Sequence, residues 1–393
     1  MIAILLLLSS TGFSQELYKE LAHKFIIVDG HVDLPYRLKV RNFQLTKEFT
    51  GIPISSEDGD FDYERAKEGG LDSPFMSIYI PAKLSSEEGK DLADSLIAMV
   101  NYISDQNPDY FEVATSPSEV REIVQKGKIA LPMGMENGSP IVKLEDVEYF
   151  RKKGISYVTL AHSLANHICD SSYDTTRLWQ GLSPFGEELV PKLAKEGIMI
   201  DISHVSDSTF YDVVAISPVP VIASHSSLRE FTPDFERNMT DDMLLKLKEN
   251  NGVVMINFGS TFIDGEIAKI RKENGKLLSE ELAKKGLSYR DKEAKPFIEE
   301  FNASHPLVFS DVEKVVEHID RVVQIAGIDH VGLGSDFDGV GDSLPTGLKD
   351  VSDYPNIIKL LLAKGYSEED IEKICSGNVF RVWQNTLDYA AQN

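Results

Sequence analysis

Short apolar segments rich in β-branched residues alternate with longer amphipathic segments along most of the chain. Eight of the apolar segments have the length and composition of buried strands. They occupy residues 25–29, 76–80, 129–135, 156–161, 198–202, 219–223, 252–257 and 330–334. Helical patterns fill the intervals, for example at 187–195 and 311–326. Eight strands separated by helices predict an α/β fold, a (β/α)8 barrel of the TIM type, with a doubly wound open sheet as the alternative.

Two segments interrupt this alternation. Residues 37–75 form a polar connection with little strand pattern, and residues 262–304 form a charged insertion, helical by composition, before the last strand. The insertion is either a solvated decoration or part of a lid or subunit contact. Residues 366–393 have the pattern of closing helices, with Gly377-Asn378 as a helix-start signal.

Residues 1–14 have the composition of a secretory signal peptide. An unbroken apolar run at 2–8 is followed by small and polar residues, and this run is too short to cross a bilayer. We expect cleavage before Gln15 and a secreted or periplasmic protein whose single domain spans 15–393. No later segment of the sequence is long and apolar enough to predict a membrane helix.

Charge and cysteine content narrow the class of protein further. The formal net charge is -23, from 63 acidic and 40 basic residues, and this excess argues against a nucleic-acid partner. A hydrophobic fraction of 42% is enough for a large core. Cys169 and Cys375 are the only cysteines, so the sequence predicts no disulfide framework and two free, buried thiols.

Side chains that bind metals or carry protons follow six of the eight predicted strands. They are His31 and Asp33 after the first strand, Glu136 after the third, His162 after the fourth, His204 after the fifth, His225 after the sixth and Asp336 after the eighth. Each of them alone has a structural explanation, such as a turn or a hydrogen-bonded histidine. In a barrel, however, the carboxyl ends of the strands converge on one cavity. Their joint occurrence therefore predicts a functional site.

The number of possible ligands predicts two metal ions. A single catalytic zinc needs about three protein ligands and an open position, whereas five are available here. We expect one ion on His31, Asp33 and Glu136 and a second on Glu136, His204 and His225, with Glu136 as the bridge. Imidazole and carboxylate ligands favour zinc. Such a pair shares a water that supplies hydroxide near neutral pH for attack on an acyl carbon.

Two further residues have roles that metal binding alone does not require. Asp336 is placed to carry a proton from the water to the leaving amine, and His162 to donate to the developing oxyanion. Asp338 is the rival of Asp336, because a spacing of two puts both carboxylates on one side of an extended chain.

Arg237 follows the sixth predicted strand and has two possible roles. Its planar guanidinium is suited to a substrate carboxylate. A surface ion pair with Asp234 or Glu236 explains the same spacing, and spacing alone favours this ion pair.

Several segments together resemble the renal or membrane dipeptidase family, a dinuclear zinc branch of the amidohydrolase-like barrels. The matching segments are residues 29–35 (DGHVDLP), 134–138 (GMENG), 157–162 (YVTLAH), 181–186 (GLSPFG), 200–206 (IDISHVS), 224–227 (SHSS), 237–238 (RN) and 334–339 (GSDFDG). They occur in order across nearly the whole chain, which makes the resemblance more specific than any one motif.

The resemblance implies the same site with defined roles. It implies two zinc ions on the five ligands named above, with Glu136 bridging, Asp336 as proton shuttle, and His162 and Arg237 as substrate contacts. It also implies hydrolysis of dipeptides, including those with a C-terminal D-residue, and a homodimer as the expected assembly. An amidase or deacylase acting on N-acyl amino acids, or an inactive metal-binding protein, are the alternatives.

Overall fold

Eight parallel strands close into a barrel at the centre of the structure. The structure is a computed structural model and describes residues 17–40, 54–289 and 291–393. In chain order the strands are β1 (Ile27–Val32), β2 (Leu71–Tyr79), β3 (Phe111–Val113), β4 (Ile129–Leu131), β5 (Met133–Glu136), β6 (Ile155–Thr159), β7 (Met199–Asp201), β8 (Ile222–Ser226), β9 (Val253–Ile256) and β10 (Val331–Leu333). The barrel order is β1-β2-β5-β6-β7-β8-β9-β10, closed by pairing of β10 with β1. The predicted (β/α)8 barrel is confirmed.

Helices surround the barrel and connect its strands. They are Leu34–Val40, Tyr63–Gly69, Ser86–Gln106, Pro117–Gln125, Glu145–Lys152, Pro184–Lys195, Asp207–Ile216, Asp241–Glu249, Ser260–Ile263, Gly265–Lys284, Lys295–Ser304, Val312–Ile325, Tyr354–Ala363, Glu368–Glu372 and Asn378–Gln392. Many start at a side chain that accepts a backbone N–H of the first turn, as Ser183 and Asp311 do. Among the described residues, none of these helices combines the length and apolar character needed to cross a membrane.

The predicted third strand, 129–135, is divided in the structure. Pro132 separates β4 from β5, because proline lacks the N–H that a continuing ladder would need. β4 pairs with β3 in a small separate sheet, and only β5 joins the barrel. The sequence did not predict β3.

Two strand boundaries also differ from their predictions. The connection at 37–75 was predicted to contain little strand, which is wrong at its end, because β2 starts at Leu71 and is buried along most of its length. Residues 41–53 of that connection lie outside the described residues. The predicted strand 219–223 is shifted, because prolines at 218 and 220 precede β8. His225 therefore lies within β8 and not after it.

The insertion at 262–304 is mostly helical, as its composition predicted. The helices Gly265–Lys284 and Lys295–Ser304 lie between β9 and β10, and a small apolar cluster of Leu278, Leu282 and Ala294 holds them together. The homodimer stays an expectation.

The remaining predictions for single positions have mixed outcomes. Cys169 and Cys375 are both buried and free, as predicted. An α-helix does begin at Asn378, but a π-helical turn over Lys373–Gly377 joins it to the preceding helix. Gly377 thus has helical dihedral angles and does not interrupt the helical path. The predicted signal peptide at 1–14 lies outside the described residues.

Large side chains fill the inside of the barrel below the site. Tyr157 on β6, Phe75 on β2 and Trp383 from the last helix are fully buried and pack together. A β-carbon at Gly134 would overlap the Tyr157 ring, since it would lie 1.9 Å from a ring carbon. Glycine on β5 therefore allows the Tyr157 ring to lie across the barrel, with its hydroxyl beneath the strand ends.

Candidate metal centre

Glu136 is the last residue of β5 and lies at the centre of a buried cluster. Its Oε2 atom is 3.4 Å from Nε2 of His31. Its Oε1 atom is 3.1 Å from Nε2 of His204 and 3.4 Å from Nε2 of His225. The two carboxylate oxygens therefore face different histidines.

One group of donor atoms lies at the end of β1. Nε2 of His31 is 3.6 Å from Oδ2 of Asp33, close to its distance from Glu136. A tetrahedral zinc with bonds of about 2.0–2.1 Å separates its ligand atoms by about 3.3 Å. Nε2 of His31 and Oδ1 of Asp33 are buried and have no hydrogen-bond partner within the described ranges. These residues fit one metal ion.

A second group surrounds the other oxygen of Glu136. The Nε2 atoms of His204 and His225 are 2.9 Å apart and both face Oε1. His204 has a φ of 69°, a left-handed conformation that is uncommon outside glycine and is often found at functional sites. The rings of His31 and His225 stack with their centroids 3.9 Å apart. The second group thus adjoins the first and fits a second metal ion.

All seven residues predicted at strand ends meet in this cluster. Their ligand atoms form three overlapping triads, and within each triad these atoms lie within 4.8 Å of one another. The triads are His31, Glu136 and His225; Glu136, His162 and His204; and His31, Asp33 and Asp336. The cluster is therefore continuous from Asp336 at one end to His162 at the other.

The electrostatics of the cluster suit a cation. Burial alone would raise the pKa of Glu136, but the imidazoles of His31 and His162, together with hydrogen bonds from His204 and His225, hold this pKa well below its usual value. Burial lowers the pKa of His204 and His225 well below the usual value, which favours the neutral, ligating form. Burial opposes a proton on His31 too, yet the Tyr157 hydroxyl and the carboxylates of Glu136 and Asp33 outweigh burial and raise the pKa of His31 well above its usual value. Surroundings that favour a proton on His31 also favour a metal cation beside it.

Asp336 is held at the edge of the cluster. The side-chain amide of Asn257 donates to its Oδ2 atom at 2.8 Å, and the backbone N–H of Asp336 donates to the carbonyl of His31. Burial raises the pKa of Asp336 to about 8, and the carboxylates of Asp33 and Glu136 act in the same direction while His31 opposes them.

Asp338 points to a different partner. Its Oδ1 atom is 2.9 Å from Nε of Arg37 and accepts the backbone N–H of Asp60. The expectation that Asp336 and Asp338 share one side of an extended chain is wrong, because both residues have left-handed φ angles, 64° and 66°. The structure places Asp336, and not Asp338, in a triad with predicted ligands.

His162 follows β6 and is more exposed than the other histidines of the cluster. Its Nε2 atom is 3.5 Å from Oε1 of Glu136, and its ring contacts those of Tyr79 and His204. Burial lowers the pKa of His162, so the neutral ring has an N–H to donate.

Arg237 is buried next to the cluster and not on the surface. It donates to the hydroxyl of Ser226 at 2.6 Å and to the carbonyl of His225 at 2.7 Å, while its Nε has no partner among the described residues. The predicted surface ion pair is therefore wrong for Glu236, which pairs with Arg177. No contact of Arg237 with Asp234 is present in the described part of the chain. The guanidinium charge contributes to the lowered pKa of His162 and His204.

A cavity of about 950 Å³ opens above the cluster. Its lining includes Asp33, Glu136, His162, His204 and Asp336, together with Tyr36, Tyr79, Tyr173, Phe262 and Leu344. Phe262 is the first residue of the predicted insertion, and it forms part of the cavity wall.

Nearly the whole sequence matches one known protein family. The family model of the membrane dipeptidases, peptidase family M19, matches residues 15–393. The chain belongs to the membrane dipeptidase family. It is therefore a metal-dependent hydrolase of the dipeptidase type, and the cluster around Glu136 is where its described residues offer ligands.

Relatives of this dipeptidase-family chain cover most of its length. Dipeptidase tcpJ of Claviceps purpurea is 31% identical over 378 residues, which are 92% of this chain and 77% of that protein. Dipeptidase ataJ of Aspergillus terreus is 30% identical over 93% of this chain and 86% of its own. The crystal structure of the probable dipeptidase PvdM from Pseudomonas aeruginosa has a TM-score of 0.80 at 23% identity and covers 96% of this chain and 99% of its own.

A Rhodobacter sphaeroides structure adds a ligand-bound example of the fold. This metallo peptidase was crystallised with a phosphinate mimic of the dipeptide L-Ala-D-Ala. It has a TM-score of 0.75 at 24% identity and covers 92% of this chain and 99% of its own. At this identity the likeness shows the fold.

The sequence did not reveal several residues that support the site of this dipeptidase-family member. Asn257 directly follows β9, and its position at a strand end was the signal available. Tyr157, Asp201 and Ser224 lie within β6, β7 and β8, and their side chains contact ligands or each other beneath the site. Polar residues inside barrel strands give no comparable signal, because sequence alone does not show which side chains meet.

Proposed function

We propose that this member of the membrane dipeptidase family hydrolyses dipeptides with two zinc ions, one on each oxygen of Glu136. What supports this proposal is that the two oxygens of the Glu136 carboxylate face different histidines. Its Oε2 faces His31, and its Oε1 faces His204 and His225. Imidazole and carboxylate ligands suit zinc, and the donor set exceeds what one ion needs.

The protein groups around the cluster are proposed to carry out the steps of amide hydrolysis. Zinc ions held there would lower the pKa of a shared water and supply hydroxide for attack on the peptide carbonyl. Asp336 is placed to take a proton and pass it to the leaving amine, because Asn257 holds its Oδ2 while its Oδ1 borders Gly339 beside Asp33. His162 is placed to donate an N–H to the oxyanion.

The substrate is proposed to be a dipeptide whose carboxylate is attracted by Arg237. A buried guanidinium whose Nε has no partner among the described residues provides a positive charge that acts on His162 and His204. We further propose that dipeptides with a C-terminal D-residue are accepted. The related Rhodobacter protein that binds a phosphinate mimic of L-Ala-D-Ala supports this proposal.

The direct test combines zinc content with a substrate panel. The purified protein should contain about two zinc ions per chain, lose activity with a chelator and regain it with zinc. It should cleave L-Ala-D-Ala and L-Ala-L-Ala faster than N-acetyl-L-alanine. Faster cleavage of the N-acyl compound would show that the protein is a deacylase and not a dipeptidase. Tight zinc binding without hydrolysis of either class of compound would indicate an inactive metal-binding protein.

We also propose that the protein is exported. The apolar run at 2–8 and the small residues that follow support this. Expression of the full chain in a bacterial host with a periplasm, followed by N-terminal sequencing of the mature protein, should give Gln15 as the first residue. A mature chain that retains residues 1–14 in the cytoplasm would contradict export.

A further inference from the structure

Two hydroxyl groups contact the sides of the ligand imidazoles that face away from the metal centre. The Tyr157 hydroxyl is 2.8 Å from Nδ1 of His31, and the Ser224 hydroxyl is 2.7 Å from Nδ1 of His225. Both hydroxyls are fully buried. Because a neutral imidazole carries its proton on either nitrogen, the direction of these two hydrogen bonds decides which nitrogen has the lone pair.

The direction of the first bond follows from the second partner of Tyr157. Its hydroxyl lies 3.1 Å from the carbonyl of Gly30. A carbonyl only accepts, so the phenol hydrogen goes to Gly30 and the phenol oxygen accepts from His31. This arrangement satisfies all three groups. It puts the proton of His31 on Nδ1 and leaves the lone pair on Nε2, which faces Glu136.

The direction of the second bond follows from Asp201. The Ser224 hydroxyl donates to Oδ2 of Asp201 at 2.6 Å. Oδ1 of Asp201 accepts the backbone N–H groups of Ser203 and Ser224 at 3.0 and 2.8 Å. The carboxylate is thus an acceptor on both oxygens, and the single hydrogen of the serine is used. The serine oxygen then accepts from Nδ1 of His225, whose lone pair is left on Nε2.

We propose that Tyr157 and the Asp201–Ser224 pair are positioning residues that fix His31 and His225 as Nδ1–H tautomers, so that both Nε2 atoms face the metal ions. This inference rests on the proposed metal-dependent function. These two hydrogen-bonded relays, Tyr157–His31 and Asp201–Ser224–His225, serve different ions. His31 belongs to the group at Oε2 of Glu136, and His225 belongs to the group at Oε1. Removing one hydroxyl should therefore weaken one of the two zinc sites.

His204 provides a contrast within the same cluster. Its Nδ1 atom is buried and has no hydrogen-bond partner in the described part of the chain. The orientation of its ring is set by its left-handed backbone and by ring contacts with His162 and His225. The relays are thus specific features of two histidines and not a general property of the cluster.

Tyr157→Phe and Ser224→Ala test the inference with little change in packing. The phenylalanine ring keeps the contacts with Phe75 and the space above Gly134, and Asp201 keeps both backbone donors when the serine hydroxyl is removed. Tyr102→Phe and Ser73→Ala are matched controls, because both residues have a buried hydroxyl without a partner among the described residues. Removing a residue that hydrogen-bonds to a metal ligand usually weakens metal affinity by about 10- to 100-fold.

Zinc affinity is measured by competition with a chelator, starting from the zinc-loaded protein. Each test variant should bind one of its two zinc ions about 10- to 100-fold more weakly than wild type, and the controls should bind both normally. In ¹⁵N-histidine spectra of the zinc-loaded protein, Tyr157→Phe should shift the Nδ1–H signal of His31 and leave that of His225, and Ser224→Ala should do the reverse.

Two results overturn the inference, and they are distinguishable. If both test variants bind two zinc ions as tightly as wild type while the wild type still hydrolyses dipeptides, the relays have no such role and the proposed function stands. If the wild type itself binds no zinc and is inactive on dipeptides, the proposed function fails as well. If one test variant fails to fold, the other decides the question, because each relay is tested separately.

Discussion

The side-chain amide of Asn257 donates to Oδ2 of Asp336 at 2.8 Å, across from β9 to the loop after β10. This bond fixes the orientation of the Asp336 carboxylate, which forms one triad with His31 and Asp33. One oxygen is thereby occupied, and the other is available at the edge of the cluster. The relationship explains why Asp336, and not its neighbour Asp338, is suited to carry a proton.

Asp336→Asn should lower kcat by about 100- to 10,000-fold, because the amide cannot accept and return a proton. Zinc content should stay at the wild-type value, since the predicted metal ligands remain in place. Asp338→Asn is the comparison, and it should reduce kcat far less, because that carboxylate binds Arg37. Equal losses in the two variants would remove the proton role from Asp336.

Arg237 is expected to act on the substrate carboxylate, so its effect should depend on that group. Wild type should have a lower KM for a dipeptide than for the same dipeptide with a C-terminal amide. In Arg237→Met this difference should largely disappear, because the positive charge is gone. The comparison of two substrates within each protein separates substrate recognition from any loss of stability. An unchanged preference for the free carboxylate in the variant would contradict the role.

Gly339 lies between two carboxylates of the site, and a side chain does not fit there. A β-carbon at this position would be 2.2 Å from Oδ2 of Asp33 and 2.2 Å from Oδ1 of Asp336. Gly339→Ala should therefore displace both groups and reduce both zinc binding and kcat. Gly275→Ala is the control, because no atom of the residues that the structure describes comes within 4 Å of its β-carbon position, apart from its chain neighbours and the backbone of its own helix. In the helix interior it should stabilise by about 0.5–1 kcal/mol without affecting activity.

His318 links stability to pH away from the metal centre. Its Nδ1 accepts the backbone N–H of Leu228 and its Nε2 donates to the carbonyl of Ile263, so the neutral ring is required. Burial lowers its pKa to about 4, while the unfolded chain has the usual value of about 6.5. Between these values the unfolded state binds a proton that the folded state does not, so stability falls as pH falls.

The measurement is the free energy of unfolding of wild type and His318→Gln in urea at pH 7.5 and pH 5.0. Wild type should lose about 2 kcal/mol more than the variant on acidification, because each pH unit below 6.5 costs about 1.4 kcal/mol for this group. Groups common to both proteins cancel in the difference. Equal losses would show that His318 is not protonated differently in the two states.

The barrel and the clustered residues were predictable because parallel strands deliver their carboxyl ends to one place. His31, Glu136 and His225 needed only an approximate strand boundary, since an error of two or three residues leaves them at the same end of the barrel. Even the shifted boundary of β8 did not move His225 out of the cluster.

Features that depend on local backbone or tertiary contact were not predictable. The spacing of Asp336 and Asp338 implied one side only for an extended chain, and left-handed backbone at both positions separates them. Arg237 is buried because it donates to two acceptors in β8. The spacing of residues along the sequence does not reveal these contacts. Tyr157 looks like any aromatic strand residue, and only the barrel interior shows that its hydroxyl contacts a ligand.

We propose that Glu136 holds one metal ion on each carboxylate oxygen, and a crystal structure of the zinc-loaded protein with data collected at the zinc edge tests this most directly. We expect two anomalous peaks about 3.5–4 Å apart, each about 2.0–2.2 Å from a different oxygen of Glu136. A single peak at full zinc occupancy, or two peaks that Glu136 does not contact, would contradict the account.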